Sequence, residues 1–221
     1  MKVLAIVLLS SLSLVALAPS PTGGRQLLPH DEAAEVSDLA AVRTVILDAL
    51  DRADFKTVAK HSAPQVQAYY DAIPGRKELI RCLREEGLAR SMAKALRAGG
   101  RMVDDGEGGK MFIAPSLFID FPEDIDPYEN AVVYGENVNI RSKPDIKSKV
   151  MAQLTYHIVG FPEWSPTPCR SGSRHQWHRV RLPDGGYGFL AEDFLWTTGS
   201  ERFHFKKVGG KWRLEYVMTG E

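Results

Sequence analysis

The sequence predicts an α+β protein, and three observations carry that expectation. Apolar residues recur at helical spacing through the first half of the chain, and short alternating segments separated by Gly, Pro and Asp fill residues 131–196. A Gly-Gly turn between two further alternating segments lies near the C-terminus. The 221 residues include 44% apolar side chains, an ordinary globular composition. Basic and acidic residues balance at 28 each, which argues against a chain built mainly to grip nucleic acid. Two cysteines are too few for a disulfide-dense scaffold or a four-thiolate zinc site.

In residues 1–18, Lys2 precedes an apolar run from Val3 to Ala18, and Ala16 and Ala18 form an A-x-A ending. That is the layout of a secretory signal peptide, so the expected location is periplasmic or secreted. Pro19 is a poor neighbour for the cut, which leaves cleavage within Ser20–Gly24 or retention of the segment as an anchor. The run is short for a bilayer span, which needs roughly 20 apolar residues, and no later run is long enough. Residues 19–31, rich in Pro, Gly, Ser and Thr, read as a flexible leader.

An α+β domain is expected over 33–130. Leu39, Val42, Val45, Ile46, Ala49, Leu50 and Ala53 form one helical stripe, with Thr44, Asp48 and Asp51 opposite. A short helix follows from Phe55 to about His61, with Pro64 ending it, and Val66–Ile73 is expected to be extended. Arg76–Leu96 reads as two helical pieces. Leu79, Ile80 and Leu83 share one face, Leu88, Met92 and Leu96 share another, and Gly87 between them costs about 1 kcal/mol inside a helix. Gly99–Lys110 has the composition of an exposed loop or β-turn, and it has neither phosphate-loop nor calcium-loop spacing. Met111–Phe121 is a strand only at an edge, or if it breaks at Pro115.

From Ala131 the texture is all-β. The segments VNIRSKP (138–144), SKVMAQL (148–154), WHRVRLPDGGYGFL (177–190) and Phe194-Leu195 follow in order. This stretch resembles the bacterial SH3-like domain family over residues 131–196. Phe189 stands where that family usually has Trp, and the loop 161–176 is longer than its usual turn. The resemblance implies a small β-barrel in an exported, non-enzymatic binding or scaffold protein of the cell envelope that takes a peptide or peptidoglycan component. An accessory of a cell-wall hydrolase, an unrecognised hydrolase, and a purely structural module are the alternatives.

Period-two alternation in WHRVRL places His178, Val180 and Leu182 on one face and Trp177, Arg179 and Arg181 on the other. With Val180 and Leu182 inside, Trp177 is expected outside or at a rim. Trp177, Trp164 in the long loop and Tyr187 are therefore the candidate ligand-binding residues, forming an aromatic groove. The competing expectation is that the tryptophans cover the core beneath the loop.

No catalytic residue, cofactor or metal is expected. His175 and His178 would point to opposite faces of a strand, and Cys169 completes no ligand set with them. Cys82, flanked by Arg81 and Arg84, has no catalytic surroundings, and no G-x-S-x-G elbow occurs. In an oxidising compartment Cys82 and Cys169 are expected to pair, a bridge worth about 4–5 kcal/mol in the chain-entropy model.

Glu201–Lys207 and Lys211–Met218 flank Val208-Gly209-Gly210 as a β-hairpin. A lone hairpin is marginal in water, so 197–221 is expected to complete the first domain, with the SH3-like unit inserted into it. Residues 19–130 carry 14 basic and 19 acidic side chains, whereas 131–221 carry 13 and 9. An acidic front would thus dock on a basic back, within the limits of screening.

Overall fold

The computed structural model describes residues 24–70, 72–85, 87–161 and 175–220. The expected signal segment, Trp164 and Cys169 lie outside them. Among these residues the fold is α+β, with four α-helices and two sheets.

In the first unit, α1 (Ser37–Asp51), α2 (Phe55–Lys60), α3 (Arg76–Glu85) and α4 (Leu88–Arg97) pack on one sheet. Its strands are β1 (Ser62–Ala68), β2 (Arg101–Asp104), β3 (Lys110–Ala114), β11 (Arg202–Val208) and β12 (Lys211–Met218), in the order β1-β12-β11-β3-β2. The C-terminal hairpin therefore lies at the centre of the first sheet, antiparallel to β3 through β11 and parallel to β1 through β12. Gly209 and Gly210 both have positive φ, 59° and 74°, which a tight hairpin turn requires and other residues resist.

Phe112, Phe203, Phe205, Trp212 and Leu214 point from this sheet into a core with Leu39, Ile46, Leu79, Leu83, Met92 and Leu96. Phe205 pairs with Leu214 but His204 pairs with Tyr216, so Glu215 is an extra residue in β12. That bulge lets Val217 face the same core as Leu214 despite the odd spacing.

Several local expectations are altered. Val45 is 39% exposed, because the α1 stripe is centred on Leu39, Ile46 and Ala49. Pro64 lies inside β1, tolerated because β1 is an edge strand with irregular pairing there. Gly87 separates α3 from α4 in a left-handed conformation. The exposed loop or β-turn expected over 99–110 is a turn over 105–109 closing a hairpin in which Asp104 pairs with Lys110, so its flanks are strands. The Asp105 carboxylate accepts from Glu107 and Gly109 amides and so closes its turn.

The second unit contains β4 (Asn130–Val133), β5 (Val138–Arg141), β6 (Val150–Leu154), β7 (Ile158–Gly160), β8 (Trp177–Arg181), β9 (Tyr187–Ala191) and β10 (Leu195–Trp196). Their order is β10-β4-β7-β8-β9-β5-β6. Among the described residues no ladder joins β10 to β6, so the sheet is not the closed barrel expected from the sequence. Ala131, Ile140, Leu154, Val159, Val180 and Leu190 form its own core.

A third cluster joins the units. Val132, Tyr134, Ile158 and Trp196 from the second unit meet Leu27, Ala98 and Leu117. This explains why residues 131–134 are wholly apolar in character: Ala131 and Val133 face one core, while Val132 and Tyr134 face the other. Residues 24–31 are also held, contrary to the flexible leader expected. Ile158 N–H donates to the Arg25 carbonyl, Leu27 N–H donates to Tyr156, and the Leu27 side chain is buried. Asp31 accepts from Ala33 N–H at the start of a short 3-10 turn.

Candidate functional site

Helix α4 uses two faces. Leu88, Met92 and Leu96 bury into the first core, while Arg90, Ser91 and Lys94 occupy the adjoining stripe at three- and four-residue spacing. That polar stripe faces the second unit across a cavity of about 440 Å³. The opposite wall is formed by Tyr134, His175, Glu192, Asp193, Leu195 and Trp196, with Glu201 at the beginning of the returning chain.

Each residue of the stripe has a partner across the seam. Arg90 Nη1 lies 3.3 Å from Asp193 Oδ1, with Arg90 largely open to water and Asp193 partly so, so that pair contributes little. The Ser91 hydroxyl donates to Glu201 Oε2 at 2.7 Å. Lys94 Nζ donates to the Leu195 carbonyl at 3.1 Å and sits 4.3 Å from the Tyr134 ring centroid. The Tyr134 hydroxyl in turn donates to the Lys94 carbonyl. His175 Nδ1 is 2.9 Å from Asp193 Oδ2.

Burial pushes the Lys94 ammonium down to about 8, although Asp193, Glu201 and Glu192 all pull it upward. At neutral pH most molecules still carry the charge, yet a measurable fraction presents a neutral amine. Burial also raises the Tyr134 hydroxyl well above its usual value, so it serves as a donor throughout the working range. The lining therefore offers two cationic side chains, three carboxylates and an aromatic wall. Such a surface suits a ligand carrying both amino and carboxylate groups.

No family model, curated protein or solved structure matches this chain.

The candidates named from the sequence do not assemble at one place. Trp177 is 3% exposed, where alternation had placed it outside or at a rim. It and His178 are both buried at the start of β8, and exposure on Trp177's face begins only at Arg179. The Trp177 ring meets His175 edge-on at 6.4 Å, which brings it close behind the cavity wall. Tyr187 is 43% exposed beneath the Arg179 guanidinium, 4.1 Å away. Trp177 pairs with Ala191 and Tyr187 with Arg181, the two ends of one ladder. Four residues of strand separate them, roughly 13 Å. Trp164 lies outside the described residues, as does Cys169. Cys82 is fully buried on the inner face of α3.

Arg90, Ser91, Lys94, Tyr134, Asp193 and Glu201 were not singled out from the sequence. The available signal was a polar stripe beside the apolar one on α4, but nothing local says what that stripe faces. Among the described residues no group of three or more His, Cys, Asp or Glu is placed to hold a metal ion.

Proposed function

We propose that this is an exported, non-enzymatic binding protein of the cell envelope. Its SH3-like second unit and helix α4 together bind a peptide or peptidoglycan component. The observation that supports it best is the seam cavity, where Lys94, Arg90 and three carboxylates line one space beside Tyr134 and Trp196. Stem peptides of the cell wall carry amino and carboxylate groups that match this mixture. The experiment is a pull-down of the full chain on purified peptidoglycan, comparing wild type with Lys94→Met and Glu201→Gln. Retention of wild type and loss in both variants is expected; equal retention of all three would remove the seam cavity as the site.

A hydrolase is the second reading, and one observation favours it. Ser91 and Lys94 lie three residues apart on one helical face, both line the cavity, and the lysine amine titrates near 8. Zymography on cell-wall substrate separates the two, because clearing that disappears with Ser91→Ala supports the enzyme. A bridge from Cys82 to Cys169 belongs to the same exported reading, and two titratable thiols under denaturing, non-reducing conditions would exclude it.

A further inference from the structure

The segment from Phe118 to Asn130 holds five carboxylates, Asp120, Glu123, Asp124, Asp126 and Glu129, and no basic residue. Four of its large apolar side chains, Phe118, Phe121, Ile125 and Tyr128, line an open groove of about 620 Å³ that shares no lining residue with the cavity beside α4. Thr198, Gly199 and Gly220 form the facing wall.

The groove is built in advance by one buried side chain. Arg202, 4% exposed, lies with its guanidinium 4.1 Å over the Phe118 ring. It donates from Nη1 to the Thr198 carbonyl at 3.1 Å and from Nη2 to the Gly220 carbonyl at 2.7 Å. Gly220 N–H donates to the Gly199 carbonyl at 3.2 Å, which ties the tail to the loop. Floor and facing wall are thus fixed through a single guanidinium, and little ordering cost is left for an incoming ligand.

Carboxylates outnumber cations along this segment, and of them Glu123 lines the groove itself. Asp120 is engaged by Arg101 and Asp124 by Arg25. Among the described residues no Lys or Arg pairs with Glu123, Asp126 or Glu129. Tyr128 stands 62% exposed between Asp126 and Glu129. An apolar groove alone would suit lipid or peptide equally, but a negative rim repels an anionic bilayer surface and attracts a cationic chain.

We infer that this groove docks an apolar peptide segment flanked by lysine or arginine. The apolar side chains cover Phe121, Ile125 and Tyr128, and the flanking cations face Glu123, Asp126 and Glu129. Hydrophobic area supplies most of the affinity, and the charged rim selects the sign of the partner.

The test uses the full chain and two labelled peptides of equal length with leucines at the same positions, one with lysines between them and one with glutamates. Fluorescence anisotropy is expected to detect the lysine peptide only, with affinity falling as salt rises. Tyr128→Ala and Glu123→Lys are each expected to weaken it about tenfold, while thermal unfolding stays unchanged because both side chains lie at the surface. Equal binding of the glutamate peptide, lysine-peptide binding that survives both substitutions, or no lysine-peptide binding would overturn the inference. So would stronger capture by anionic lipid vesicles than by the lysine peptide.

Discussion

The Lys94 ammonium lies 4.3 Å from the centre of the Tyr134 ring, and the Tyr134 hydroxyl donates back to the Lys94 backbone carbonyl. One residue belongs to the last helix of the first unit, the other follows the first strand of the second. The pair thus fastens the two units in both directions at the wall of the cavity. Removing the hydroxyl leaves the ring in place and deletes one hydrogen bond. Tyr134→Phe is expected to cost about 1 kcal/mol by urea unfolding, and no measurable loss would show that the contact contributes nothing.

Lys94 itself is held at a cost. Its amine titrates near 8 in the folded chain and near 10.4 when unfolded, so the unfolded chain binds more protons between those values. Stability therefore rises as pH increases from about 8 to about 10.4, and the full penalty is present at neutral pH. Lys94→Met is expected to stabilise the protein at pH 7 by about 1–2 kcal/mol and to flatten its alkaline stability profile. A destabilised variant would mean that the bond to Leu195 and the Tyr134 contact outweigh burial.

His204 gives the opposite end of the pH scale. Burial, and then the neighbouring Arg202 charge, hold its imidazole down to about 4. An unfolded histidine titrates near 6.5, so the contribution is complete above that value and is lost as pH falls toward about 4. The total is roughly 3 kcal/mol. His204→Phe is expected to lose less stability than wild type between about pH 7 and about pH 4. Identical losses in urea titrations would assign the acid sensitivity to other groups.

The C-terminal hairpin supplies the two strands in the middle of the first sheet. A chain ending at Trp196 is expected to lose amide-exchange protection throughout α1 and β3 while β5, β8 and β9 keep theirs. Preserved protection in α1 would separate the hairpin from the stability of that unit.

Phe203 is fully buried at the centre of that same sheet. Phe203→Ala is expected to cost about 3–5 kcal/mol in guanidinium unfolding, and a cost below about 1 kcal/mol would mean that the core closes over the gap.

What the sequence disclosed were features with a local cause. The stripe from Leu39 to Leu50 needs only helical spacing, the break at Gly87 needs only one flexible residue, and the last hairpin needs only its two glycines. The α+β class and the place of the hairpin in the first sheet followed from these. Features caused by distant chain were hidden. Trp177 is buried although alternation put it outside, because a strand's outer face can be covered by chain that alternation does not describe. The leader around Leu27 has a mobile composition, yet it finds hydrogen bonds at Tyr156 and Ile158. The seam cavity arises where Ser91 and Lys94 meet Leu195 and Glu201 about a hundred residues later. No spacing within α4 encodes that meeting.

The insertion of one sheet into another also fixes an order of events. A chain emerging from its N-terminus delivers every strand of the second sheet by Trp196, before either central strand of the first sheet has appeared. The inserted unit can close early, whereas the helices of the first must wait, with Leu39, Ile46 and Met92 uncovered, until the final residues arrive. The interval in which those helices are made but uncovered therefore lasts until β11 and β12 have been synthesised.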